Sequence, residues 1–199
     1  MDRFKNLVYI ILFIAAVSTL CSCVSADDST RSFSGKCSRE LCALGIKDSY
    51  ELEKFFMANN PKADRAMVKR LAGYYVTEGR FEGINSDAAF CQMCIETGFL
   101  RFGGLVKSWM HNYCGLGSVN KAHPGEKFST EALGVRAHIQ HLHAYACTKK
   151  LRNSVVDPRY HYVKPRGKAP TVFKLSGTWA SDRNYGKKLD ALLSQLEKY

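Results

Sequence analysis

Glu96 closes the run Ala89-Phe90-Cys91-Gln92-Met93-Cys94-Ile95-Glu96-Thr97-Gly98, in which apolar residues at helical spacing give way to a carboxylate and then to a glycine. A helix C-terminus carries negative partial charge and favours cations. An acid in the last turn is therefore penalised when ionised, and its pKa is expected to rise. A carboxyl that keeps its proton near neutral pH is what a general acid needs. From this pattern alone, a solvated glutamate at a frayed helix end is the better-supported reading.

The other reactive side chains suggest a metal at first sight, since Cys91 and Cys94 lie three residues apart, as do His138 and His141. A structural zinc site needs four convergent ligands, and an exported chain favours oxidised thiols over a metal trap. No H-E-x-x-H motif of a zinc peptidase occurs. No metal and no cofactor are expected. His138 and His141 read as packing or hydrogen-bonding residues. Cys91 and Cys94 read as small buried groups, able to pair with Cys114 or Cys147 but not with each other within one strained helical turn. With Cys37 and Cys42 these make six cysteines beyond the leader, an even number that permits three disulfides without selecting a pairing. A redox Cys-x-x-Cys lacks its surrounding βαβ pattern.

Helices must position these groups. Asp48 and Glu51 form a capping-box pattern ahead of Leu52, Phe55 and Phe56, and Asn59-Asn60-Pro61 stops that helix. A second helix is predicted from about Ala63 to Glu78, with Gly79 near its end. A third starts at Ser86 and ends where Gly98 takes a left-handed conformation. From Phe102 to Thr130 glycines and Pro124 interrupt the apolar residues, so loops and a small hairpin are expected. Val135, Ile139, Leu142 and Ala146 then mark a fourth helix, with His138, His141 and Tyr145 as a second stripe. Leu189, Leu192, Leu193 and Leu196 mark the last.

Residues 1–26 read as an export signal, because Arg3 and Lys5 precede an apolar run from Leu7 to Val17. Val24-Ser25-Ala26 makes a small-residue cleavage site, the preferred route. Leu20 to Cys23 resembles a relaxed lipobox that would anchor the chain by lipid at Cys23. The run is short of the roughly 20 residues that span a membrane, so no transmembrane helix is expected in the mature form. Residues 27–47, rich in Ser, Asp, Arg and Lys, read as a mobile polar tether, leaving 48–199 as one domain. The net charge is +11, or +10 without the leader, and favours a polyanionic partner. Export and the lack of any nucleic-acid-binding motif argue against nucleic acid and for the periplasmic envelope or the exterior.

Five blocks in order carry a family resemblance. They are Glu82 to Phe90, Gln92 to Gly98, Asn112 to Gly117, Gly134 to Leu142, and Trp179-Ala180-Ser181-Asp182 with Tyr185 and Lys188. Together they resemble family 73 of the glycoside hydrolases, N-acetylglucosaminidases that include autolysins and flagellar peptidoglycan hydrolases of the mannosyl-glycoprotein endo-N-acetylglucosaminidase type. The resemblance implies a mainly α, lysozyme-like helical domain with a small loop/β lobe flanking a substrate cleft. It makes Glu96 the catalytic acid. A second family acid often lies in the small lobe, where this chain offers Glu126, in a Pro-Gly turn, and Glu131. A first-turn acid at Glu131 also stabilises a helix by roughly 0.3–1 kcal/mol. The substrate's own N-acetyl oxygen can replace such a residue.

Tyr185, Tyr113, Gln92 and Trp179 are the implied substrate-binding residues, with buried aromatic packing as the competing account of the rings. Trp179 stands where many relatives have Tyr, so a hydroxyl-dependent role does not transfer to it. Asp182 reads as a cap ahead of the last helix. The implied activity is hydrolysis of β-1,4 bonds of peptidoglycan on the reducing side of GlcNAc. A non-catalytic wall-binding protein and an endoglycosidase acting on the chitobiose core of N-glycans are the alternatives.

Overall fold

The structure, a computed structural model, describes residues 35–199; the export segment, Cys23 and the first part of the expected tether lie outside the described residues. Asp48 opens helix α1 (Ser49–Asn59) with the capping box its sequence announces. Its carboxylate accepts from Glu51 N at 2.8 Å while Glu51 accepts from Asp48 N at 2.9 Å. Leu52, Phe55 and Phe56 are buried behind it, each contributing about 1.5–3 kcal/mol. Asp64 caps α2 (Arg65–Glu82) by accepting from Ala66 N and Met67 N. This helix runs past Gly79, where the sequence pattern places its end, and stops at Gly83 with φ 72°. Gly79 serves packing instead: a Cβ there would lie 2.8 Å from Ile84 O, at the entry to the next helix.

Helix α3 (Ser86–Thr97) takes Asn85 rather than Ser86 as its N-cap, the side chain accepting from Asp87 N and Ala88 N. It is buried from Ser86 through Cys94, as expected of a helix surrounded on all sides. Gly98, at φ 58°, ends it as the sequence predicts. Thr130 caps α4 (Glu131–Ala146), and α5 (Tyr185–Leu196) is the last element. Helix α2 lies against α1, α3 and α4, while α5 lies against α3 and the 3-10 turn Val172–Leu175. The fold is thus mainly α, as expected. Among the described residues no helix is long and apolar enough to cross a membrane.

The small lobe between α3 and α4 is built from turns. Phe99, Leu100, Phe102 and His111 all have positive φ, a conformation that costs roughly 1–2 kcal/mol at a residue with a Cβ. In place of the expected hairpin there is an isolated bridge, Asn120 with His123. No longer strand occurs among the described residues.

The described part of the expected tether is docked rather than free. Cys37 and Leu41 are buried, Arg39 pairs with Asp190 of α5 at 2.7 Å, and Asn85 Nδ2 donates to the carbonyls of Ser38 and Glu40. Ile46 N and Lys47 N donate to the Asp87 carboxylate at 2.9 and 3.2 Å. Backbone groups of this segment pair with the Asn85 and Asp87 side chains at the start of α3, while the Arg39 side chain pairs with α5. The domain thus begins before residue 48.

All six described cysteines are free thiols; Cys42 is exposed and Cys147, at the end of α4, half-buried. A hydrogen bond with the Cys42 thiol, helped by His143 Nε2 at 3.3 Å, holds the Cys147 thiol well below its ordinary pKa and pushes that of Cys42 up. The thiolate is the reactive species. Iodoacetamide at mildly acid pH is therefore expected to label Cys147 first. Peptide mapping that found another cysteine labelled as fast would sink this expectation.

Candidate active site

Because Gly98 stops α3 where it does, Glu96 opens into a cleft of about 380 Å³. Its walls are the loop from Phe102 to Val106, the lobe residues Cys114 and Gly115, and Trp179. Two later segments reach the carboxylate. Tyr185, the first residue of α5, donates from Oη to Glu96 Oε1 at 2.5 Å, and Trp179 donates from Nε1 to the same oxygen at 3.0 Å. The second oxygen, Oε2, faces Gly115, where a Cβ would lie 3.9 Å away. One oxygen is thus doubly held and the other faces the lobe across the cleft.

Each partner has a local reason for its place. Gly186 lets α5 seat on the 3-10 turn, since a Cβ there would come within 2.6 Å of Phe173 Cα. Trp179 is held by rings, with centroids 5.2 Å from His141, 5.2 Å from Tyr145 and 5.9 Å from His138. His141 is fixed in turn by Asp157, 2.8 Å from its Nδ1. An indole N–H therefore reaches Glu96 from Trp179. Asp182 accepts from Asn184 N at 2.8 Å and so caps the turn into α5.

The carboxyl of Glu96 is exposed to the cleft yet deep among the protein atoms of its walls. Burial raises its pKa above the ordinary carboxylate value, against the lowering effect of Tyr185 and Trp179. The direction is the one expected, and burial is its largest cause. Burial, with the charge of Glu96, also raises the pKa of Tyr185 far above its usual value, so its hydroxyl stays a donor.

Of the residues singled out from the sequence, Glu96, Tyr185, Trp179 and Gln92 come together. Gln92 lies one turn before Glu96 on α3 and is wholly buried, with Nε2 donating to Tyr185 Oη at 3.0 Å. It orients Tyr185, and neither side chain is among the residues that line the cleft. Tyr113 is elsewhere: its ring is buried against Gly134 of α4 and its hydroxyl has no partner among the described residues. Glu131, in the first turn of α4, accepts from Nε and Nη2 of Arg70 at 2.8 Å each. Glu126 stays on the lobe, its carboxylate 2.9 Å from where a Cβ on Gly117 would lie.

Sequence reasoning missed Asn112 and His138 as parts of the site. Asn112 holds the loop opposite Glu96 by donating to Leu116 O and Glu126 O while accepting from Leu116 N. His138 Nε2 meets Gln92 Oε1 at 3.1 Å. For His138 the available signal was a polar side chain on a helix face otherwise committed to the core; Asn112, in the lobe outside any helix, offered no such pattern.

The family model described as mannosyl-glycoprotein endo-beta-N-acetylglucosaminidase matches residues 72–198. A protein of Borreliella burgdorferi, described as uncharacterized, is 42% identical over 159 residues, covering 80% of this chain and 78% of its own. No solved structure matches.

Proposed function

The chain belongs to the glucosaminidase family of glycoside hydrolases, and from that premise we propose that it is an endo-β-N-acetylglucosaminidase cutting peptidoglycan. The bond is the β-1,4 link on the reducing side of N-acetylglucosamine. One observation carries the proposal: a carboxyl of raised pKa stands in the cleft with Oε1 held by two donors and Oε2 left for the substrate. A glycan in the cleft sets its glycosidic oxygen against Oε2. That oxygen takes the proton as the C1–O bond breaks, and the bonding pair leaves with it. Tyr185 and Trp179 then stabilise the carboxylate that remains.

The cation developing at C1 is captured by the substrate's N-acetyl oxygen or by a water held at Glu126. Glu126 is better placed than Glu131 for the second role, because Arg70 already occupies both oxygens of Glu131. The hydrolysis needs no cofactor. A net charge of +10 without the leader draws the enzyme to anionic wall polymer. Export by residues 1–26 to the envelope or medium, with or without lipid on Cys23, belongs to the same proposal.

Mass spectrometry of products from purified wall tests it, with reducing-end GlcNAc as the expected result. Reducing-end MurNAc would make the enzyme a muramidase. Wall binding without clearing in a zymogram would leave a binding protein. Release of mannose-bearing glycan from a glycoprotein, with wall untouched, would move the substrate to the chitobiose core of N-glycans.

A further inference from the structure

Behind Glu96 runs an unbroken line of hydrogen bonds to which α2, α3, α4 and α5 all contribute. Tyr75 Oη is 2.8 Å from His138 Nδ1, and His138 Nε2 is 3.1 Å from Gln92 Oε1. Gln92 Nε2 is 3.0 Å from Tyr185 Oη, which is 2.5 Å from Glu96 Oε1. Tyr75, His138 and Gln92 are wholly buried, and none of them lines the cleft.

Chemistry gives the line a direction. Burial holds the pKa of His138 down at about 3, so the ring is neutral and carries one N–H. The Gln92 amide nitrogen can only donate and faces Tyr185, so its oxygen faces His138 and the imidazole proton is on Nε2. The bare Nδ1 accepts from Tyr75. Because Tyr185 Oη receives from Gln92, its own hydrogen is left for Glu96. Each group thus donates to the next one nearer the carboxylate.

We propose that His138 is a positioning residue of the hydrolase: by fixing the Gln92 amide it commits the Tyr185 hydroxyl to Glu96 Oε1, so that the transferable proton resides on Oε2, the oxygen facing Gly115. The proposal rests on Glu96 being the acid. Without His138 the amide is free to turn its oxygen to Tyr185, whose hydrogen then leaves Glu96. The carboxylate loses a donor that favours its ionised form, and its pKa rises further. The alkaline limb of the rate profile, set by loss of the acid's proton, moves to higher pH. The proton is also no longer confined to Oε2, so kcat falls. The titratable groups facing Glu96 are Tyr185 from α5 and Cys114 from the lobe; those facing His138 are Tyr75 from α2 and His141 from its own helix.

The test compares the full chain with His138→Leu and His138→Gln by two readouts. One is the pH dependence of kcat and KM on purified wall. The other, in a Trp109→Phe background, is the pH titration of Trp179 fluorescence, which senses Glu96 through the indole N–H and requires no turnover. For His138→Leu we expect kcat to fall about 10- to 100-fold with KM within about twofold. Both midpoints should rise by about one pH unit. His138→Gln, whose amide accepts from Tyr75 and donates to Gln92, should return both toward wild type.

Unmoved midpoints in His138→Leu, or no recovery in His138→Gln, overturn the proposal. If His138→Leu does not fold, Tyr75→Phe removes only the outermost hydroxyl and should move the midpoints the same way; no movement there overturns the proposal equally. If the wild type leaves wall intact while the fluorescence midpoint still rises from wild type to His138→Leu as expected, the enzymatic reading falls and the line stands. Turnover with an unmoved midpoint would do the reverse.

Discussion

Glu96→Gln is expected to lower hydrolysis of wall by about 10²–10⁴, the usual effect of losing a general acid, while wall binding and the fold survive. Glutamine keeps an oxygen to accept from Tyr185 and Trp179, and its amide nitrogen takes the place of Oε2. It has no proton to give. The effect on stability has a definite sign. The folded-state pKa of Glu96 is raised by burial, so the wild type holds its proton more tightly folded than unfolded. Its stability therefore falls as pH rises from the unfolded carboxyl value through the raised folded one. Glutamine has no such dependence and should match the wild type in acid and melt level or slightly higher above that window. Glu126→Gln should cost less activity, and Glu131→Gln should act chiefly through the loss of its Arg70 pair. Near-wild-type clearing by a folded Glu96→Gln protein would remove Glu96 from the mechanism.

Gly134→Ala is expected to be among the most damaging single changes to the fold. A Cβ at this position in α4 would lie 1.8 Å from His111 O and 2.9 Å from His111 C, both backbone atoms of the lobe. Backbone cannot rotate out of the way as a side chain can. Forced overpacking costs about 1–3 kcal/mol and sometimes more. The lobe must lift, carrying Cys114 and Gly115 away from Glu96 Oε2, and misplacement by about 1 Å can cost about 10² in rate. Gly73→Ala in α2 is the control, because nothing lies within 4 Å of its Cβ position; it should be neutral or stabilising by up to about 1 kcal/mol. Denaturant midpoints and kcat for both variants check this. A Gly134→Ala protein as stable as wild type would mean that the lobe does not rest on α4 as described.

The features legible in the sequence were those decided by neighbours along the chain. The Asp48–Glu51 capping box and the Gly98 stop are local, and they brought Glu96 to a helix end correctly. Gly79 misled because a glycine needed for close packing looks the same as one that ends a helix. Residues 37–47 looked like a tether because they are polar. The partners of their backbone groups, Asn85 and Asp87, lie some 40 residues on, and that of the Arg39 side chain, Asp190, lies 151 residues on, so only the fold reveals the segment as docked. Glu131 and Glu126 could not be ranked without Arg70, 61 positions from Glu131 in sequence. Tyr113 lies in a block that borders the cleft, yet its ring points into the core, a choice that local pattern does not express.

The two donors that hold Glu96 come from 83 and 89 residues farther along the chain. Contacts of such separation form late, after the cost of closing a long loop has been met. A polypeptide emerging N-terminus first presents its carboxyl long before its partners exist. The held carboxyl is therefore complete only with the final segment, as a key is cut only when its last notch is filed. A chain clipped ahead of Trp179 would lose both donors to Glu96 and, with α5, the buried Leu189, Leu192, Leu193 and Leu196, so truncation there is expected to cost the fold as well as the held carboxyl.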